Sequence, residues 1–107
     1  MNDLDRHLAV NALLDMYGRL LTTRQRMILG YYYEDNYTLS EIADLEGISR
    51  NAVHDLLNRT VKKLEDYERK LQCLKKRATL VQAMAKLERH ADHPDIALAL
   101  DLLKKVE

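Results

Sequence analysis

Apolar residues recur every three or four positions through most of this chain, which is the spacing of one face of an α-helix. The pattern predicts a first helix from residue 3 to about 17 and a second helix that begins after Thr22. It resumes from Thr38, again from Ser49, and a last time behind Pro94. No stretch alternates between apolar and polar residues as a half-buried strand does, so we expect an all-α fold.

Capping signals mark where several of these helices begin. Thr22 and Thr38 are each followed three residues later by a glutamine or a glutamate, which is the arrangement of a capping box. Ser49 is a further candidate N-cap. From Ser49 to His90 there is neither glycine nor proline, so the sequence is compatible with one long helix and with two closely joined helices.

The length of 107 residues suits one domain with a modest core. We predict a single domain over residues 1–107, with a core at about 20–65 and a charged helical extension at about 66–107. Basic and acidic residues number 17 each, and with 47% hydrophobic residues this balance is typical of a folded protein. The charges are segregated: residues 34–47 carry five acidic and no basic side chains, and residues 69–77 carry five basic and no acidic ones.

Several absences narrow the class of protein. The single cysteine, Cys73, has no internal disulfide partner and suits a reducing compartment. The sequence has no basic-then-apolar leader and no long apolar run, so we expect a cytoplasmic protein without a membrane span. It shows no phosphate-binding glycine loop and no nucleophile beside a base, so we expect no enzyme. Histidines and aspartates surround Pro94, but a turn explains them as well as a metal site does, and we expect neither a metal nor another cofactor.

The motif that points to function runs from Ser40 to Val53. A helix-turn-helix needs a small residue where its two helices approach, a glycine in the turn and a branched apolar residue in the second helix. Ala43, Gly47 and Val53 meet this need at spacings of four and six residues, while an ordinary helical hairpin is the alternative. The predicted core of the motif consists of Ile42, Ala43, Gly47, Ile48, Val53 and Leu56.

The second helix of such a motif lies in the major groove of DNA, with its N-terminal residues at the base edges. Asparagine pairs well with adenine and arginine with guanine, while basic side chains contact phosphates. The candidate nucleic-acid-binding residues are Ser49, Arg50, Asn51, His54, Asn58, Arg59, Lys62 and Lys63. Asp55 lies in the middle of the same face, where its carboxylate opposes phosphate charge. DNA binding and a repurposed motif that binds protein or RNA therefore both stay open.

A second pattern predicts self-association. Mostly apolar residues at heptad spacing, weakened by Thr60 and Tyr67, follow the long helical segment at Val53, Leu57, Thr60, Leu64, Tyr67, Leu71, Leu74, Ala78, Val81 and Ala85. Two copies can pair along this seam, so we expect a homodimer through the long helix, with packing inside the chain as the alternative. The basic run at residues 69–77 fits an RNA partner, although a solvated helix face is the more common explanation of such a run.

The motif also resembles known families. The residues Leu21-Thr22, Arg24-Gln25-Arg26, Glu41-Ile42-Ala43 and Ser49 to Val53 are similar to region 4 of bacterial sigma factors, which reads a promoter element. A closer resemblance, over roughly residues 10–78, is to the YlxM-type family, in which such a motif continues into a charged helical tail. The match includes Tyr31-Tyr32-Tyr33, Leu39 to Ala43, Ser49-Arg50, Ala52-Val53, Asp55, Arg59-Thr60 and Leu64 to Leu71.

Members of the YlxM-type family are encoded beside components of the signal recognition particle. The resemblance therefore implies a regulatory or accessory protein of that protein-targeting pathway. Its partner is then DNA or, as the alternative, the protein or RNA of the particle itself.

Overall fold

The computed structural model describes residues 2–106, and all of the regular secondary structure in that range is helical. The predicted all-α fold is therefore confirmed. The helices in chain order are α1 Asp3–Tyr17, α2 Thr23–Tyr33, α3 Leu39–Glu46, α4 Arg50–Leu71, α5 Cys73–Glu88 and α6 Pro94–Lys104. A 3-10 turn at Gly18–Leu20 connects the first two.

Reciprocal hydrogen bonds explain why α2 and α3 begin where they do. The Gln25 backbone N–H donates to Thr22 Oγ1 over 3.2 Å, and the Thr22 N–H donates to Gln25 Oε1 over 3.1 Å. Thr38 and Glu41 form the same pair of bonds, both at 3.1 Å. Each box satisfies N–H groups that have no partner inside the helix, and both predicted boxes are confirmed.

The segment without glycine or proline forms two joined helices. Gln72 separates α4 from α5 in the left-handed conformation, with φ of 55° and ψ of 30°. Residues with a Cβ seldom adopt this conformation, and glycine is the usual residue at such a position. Because residue 72 is a glutamine, the sequence contains no residue that indicates the break. Pro94 occupies the first turn of α6, where its missing N–H costs nothing, as predicted.

The chain divides into two compact units, Met1–Leu71 and Gln72–Glu107. The sequence places the boundary between core and extension near residue 65, and the two units divide at residue 71. In the first unit α4 packs against each of α1, α2 and α3. Its buried side chains are Val53, Leu57, Thr60, Val61 and Leu64. The first positions of the heptad seam therefore lie in the core of their own unit.

The second unit is a hairpin of α5 and α6 with little interior. Met84 from α5 and Leu100 from α6 are its buried side chains among the described residues, and Lys104 Nζ lies 3.2 Å from Glu88 Oε1. Farther along the predicted seam, Leu71 is 45% exposed and Val81 is 42% exposed. Within residues 2–106, no helix combines the length and the apolar character needed to cross a membrane.

Candidate nucleic-acid interface

The helix-turn-helix turns at Gly47. This residue has φ of 64° and ψ of 34°, and its N–H donates to the Ala43 carbonyl oxygen. The Ile48 N–H donates to the same oxygen over 3.1 Å, so both bonds close the end of α3. Ser49 then begins α4, because its Oγ accepts the Ala52 N–H over 3.0 Å. The reversal from α3 to α4 thus takes only residues 47–49.

The predicted core residues of the motif differ in burial. Ile42 and Val53 are completely buried and Ala43 is 7% exposed, so these three side chains hold α3 against α4. Ile48 and Leu56 are half-buried, and Gly47 lies exposed in the turn. A small side chain at position 43 lets the two helices approach closely, as the motif requires.

The opposite side of α4 is polar and exposed, and we call it the reading face. Its members are Asn51, His54, Asp55, Asn58, Arg59 and Lys62. Four of them line one shallow surface depression: Asp55, Asn58, Arg59 and Lys62. Five of the eight predicted nucleic-acid-binding residues therefore share this face, with Asp55 among them.

Two side chains of the reading face already touch. The Asn58 Nδ2 lies 3.4 Å from the ring nitrogens of His54, one turn earlier on α4. An asparagine amide offers both donors and an acceptor, so this contact still leaves Asn58 able to bind a base edge. The His54 ring is exposed.

The other three predicted residues lie at the margins of the reading face. The Ser49 hydroxyl is occupied in capping α4. Lys63 is half-buried, and its Nζ donates to Gln25 Oε1 at the start of α2 over 3.5 Å. Arg50 is exposed at the start of α4 and lines a different depression, which it shares with His7 and Tyr32. Sequence reasoning did not select His7 or Tyr32, because they are distant from Arg50 along the chain.

Acidic groups flank the reading face. Asp55 makes no ion pair with Arg59 or Lys62. On α3, Glu41 and Asp44 line a depression together with Leu45, whose side chain is 59% exposed. The motif therefore presents a mainly basic and amide surface on α4 beside an acidic, partly apolar surface on α3.

Some side chains of the basic run at residues 69–77 and of the histidines near Pro94 already have partners within the protein. Arg69 and Lys70 both pair with Asp66 on α4. His93 caps α6, because its Nδ1 accepts the Asp95 N–H over 3.2 Å. Among residues 2–106, no three His, Cys, Asp or Glu side chains are grouped as the ligands of a metal ion are.

Comparison with known proteins agrees with this geometry. The sequence profile of the family described as "Putative helix-turn-helix protein, YlxM / p13 like" matches residues 4–102. A UPF0122 protein of Shouchella clausii is 45% identical over 86 residues, which are 80% of this chain and 79% of the relative. One of Symbiobacterium thermophilum is 35% identical over 99 residues, covering 92% and 90%. One of Staphylococcus aureus is 49% identical over 71 residues, covering 66% and 64%.

Proposed function

Because the chain belongs to the UPF0122 family of YlxM / p13-like helix-turn-helix proteins, we propose that α4 binds duplex DNA in the major groove. The observation that carries this proposal is the reading face itself. All six of its side chains carry groups that can form hydrogen bonds, all six are exposed, and none is apolar. The opposite side of α4 is buried in the core, so only this face is available to a groove.

Some residues of the reading face are suited to contact base edges and others to contact phosphates. Asn51, in the first turn of α4, and Asn58, two turns later, are suited to pair with adenine edges. Arg59 and Lys62 line the same depression as Asn58 and are suited to meet phosphates. The stretch from Ser49 to Lys63 holds four basic side chains against the single acidic Asp55, although the whole chain is neutral. This local excess supplies the electrostatic attraction that non-specific binding needs.

Titration of a labelled duplex with Arg59→Ala and Lys62→Ala tests the proposal. Each substitution should weaken binding about fivefold at low salt and reduce the slope of log affinity against log salt by about one. Lys86→Ala is the matched control, because Lys86 is an exposed lysine on α5 outside the motif. If the control weakens binding as much as the two test variants, the attraction is not specific to the reading face.

We further propose that the protein serves the signal recognition particle pathway as an accessory or regulatory factor. This context is supported by the family resemblance alone. A second mode of action, docking on the particle without DNA, is favoured by the α3 surface. Glu41 and Asp44 repel phosphates but attract a basic protein, and the exposed Leu45 beside them adds apolar area.

Binding of purified particle and of duplex DNA to one protein preparation separates these modes. The adaptor mode predicts that Glu41→Gln with Asp44→Asn weakens binding to the particle and that the wild type ignores duplex DNA. The DNA mode predicts that the same pair strengthens duplex binding, because two repelling charges are removed. Recovery of neither partner contradicts both modes.

A further inference from the structure

A second depression lies at the N-terminal end of α4, beside the reading face, and we call it the Arg50 pocket. It encloses about 360 Å³. The space is open to solvent on one side and has room for one small chemical group. Its lining includes His7 from α1, Tyr32 from α2, Asn36, Tyr37 and Thr38 from the connection to α3, and Arg50.

The lining of the pocket is basic, which distinguishes it from its neighbour. None of its lining side chains is acidic, while Arg50 carries a permanent positive charge. The adjacent depression on α3 has the opposite character, because Glu41 and Asp44 line it. The Glu41 carboxylate accepts the Thr38 N–H at the start of α3. It lines the depression on α3 and not the Arg50 pocket.

Two donors in the pocket have no protein acceptor. Among residues 2–106, neither the Arg50 guanidinium nor the Tyr32 hydroxyl forms a hydrogen bond or an ion pair. The guanidinium offers N–H groups in a planar fork, which matches two oxygens of one phosphate group. The donors are therefore available to an anion from outside the protein.

The His7 ring is held in one orientation. A carbonyl oxygen only accepts, so the 3.1 Å contact between His7 Nδ1 and the Asp3 carbonyl means that Nδ1 donates. The ring packs against Tyr32 and Tyr33, with centroid separations of 5.5 and 4.9 Å. Nε2 is then the nitrogen that remains for a ligand, and it donates to an anion only when the ring is protonated.

The loop that forms the far wall is held by contacts within the protein. Asn36 has φ of 59°, which asparagine tolerates better than most residues. The Tyr37 N–H donates to the Tyr31 carbonyl over 2.8 Å, and the two rings stack with an interplanar angle of 8°. A preformed wall of this kind reduces the entropy lost on binding.

We propose that the Arg50 pocket binds one phosphate group of the DNA backbone, next to the bases that α4 reads. This inference rests on the proposed DNA binding by α4. Arg50 and the Tyr32 hydroxyl donate to the phosphate oxygens, and the His7 ring lines the same space. His7 contacts the Asp3 carbonyl on α1 and the rings of Tyr32 and Tyr33 on α2, and it lines the pocket together with Arg50.

Duplex titrations with Arg50→Gln, His7→Gln and Tyr32→Phe test the inference. Arg50→Gln should weaken binding about five- to tenfold and lower the salt slope by about one, as loss of one phosphate contact does. His7→Gln should weaken binding less than Arg50→Gln does, because His7 lines the pocket without a permanent charge. Arg89→Gln, an exposed arginine at the end of α5, is the control for the change in net charge.

The outcomes distinguish this inference from the proposed function. If Arg59→Ala weakens duplex binding but the three pocket variants do not, the pocket inference is wrong and DNA binding by α4 stands. If the wild type binds no duplex, inorganic phosphate is titrated while the NMR signals of His7 and Arg50 are followed. Shifts that vanish in Arg50→Gln then indicate that the pocket binds a free phosphate compound. This result would overturn the proposal that it binds a phosphate of the DNA backbone. Absence of shifts rejects phosphate binding altogether.

Discussion

Replacing Asp55 by asparagine separates DNA binding from protein binding by α4. The Asp55 carboxylate is exposed and shares its depression with Asn58, Arg59 and Lys62. It pairs with neither of these two cations, so its removal leaves no ion-pair partner behind. Asparagine keeps nearly the same shape and removes one negative charge. In a DNA groove, that charge opposes the phosphates.

The size of the effect follows from Coulomb's law. A carboxylate about 6 Å from a phosphate is repelled by about 0.7 kcal/mol at a dielectric constant of about 80, and by about 2.8 kcal/mol at about 20. Because Asp55 is exposed, the repulsion is closer to the value for water than to the value at a dielectric constant of about 20. We therefore expect that removing the charge strengthens non-specific binding by about 1 kcal/mol, which is about fivefold. Screening acts over about 10 Å at 0.1 M salt and about 3 Å at 1 M, so the gain should shrink as salt rises.

Fluorescence anisotropy with a labelled duplex at two salt concentrations measures this change. Asp101→Asn is the control, because it removes an exposed carboxylate from α6 and leaves the motif intact. Both variants should unfold at the wild-type temperature, since exposed substitutions change stability little. Unchanged duplex affinity in Asp55→Asn, Arg59→Ala and Lys62→Ala would refute docking by the reading face. If Asp55→Asn instead weakens binding to the particle, the adaptor function is favoured.

Three further predictions concern stability and assembly. Gly47→Ala should lower the free energy of unfolding by about 1 kcal/mol in urea titrations; no atom lies within 4 Å of an added Cβ, so the loss reflects only the φ of 64°. Gln72→Gly should raise stability by about 1 kcal/mol in the same assay, because glycine relieves the left-handed strain at φ of 55°. If the seam pairs two copies, Leu71→Lys with Val81→Lys should halve the mass found by light scattering. Because these positions are 45% and 42% exposed, the unfolding temperature of the double variant should equal that of the wild type. A double variant that is still dimeric contradicts pairing through the seam. Leu64 is unsuitable for this test, because it is completely buried in the core.

The sequence alone determined the features whose interactions span only a few residues. The two capping boxes, the left-handed Gly47 and the position of Pro94 each depend on bonds within one turn of helix. Helical periodicity likewise placed Val53 in the core and Asn51, His54 and Asn58 on the exposed face, because both follow from 100° per residue. The all-α fold and the family resemblance could therefore be predicted from the sequence alone.

Only the tertiary structure decided where side chains meet across helices. Lys63 was predicted on equal terms with Lys62, yet packing directs it to Gln25, 38 residues away. Arg50 adjoins His7 and Tyr32 because α1 and α2 both pack against α4, and no local pattern in the sequence encodes that proximity. The break at Gln72 was equally hidden, since a non-glycine residue becomes left-handed only when surrounding contacts compensate for its strain. Such contacts join residues far apart in the chain, and periodicity and capping signals extend over only a few turns.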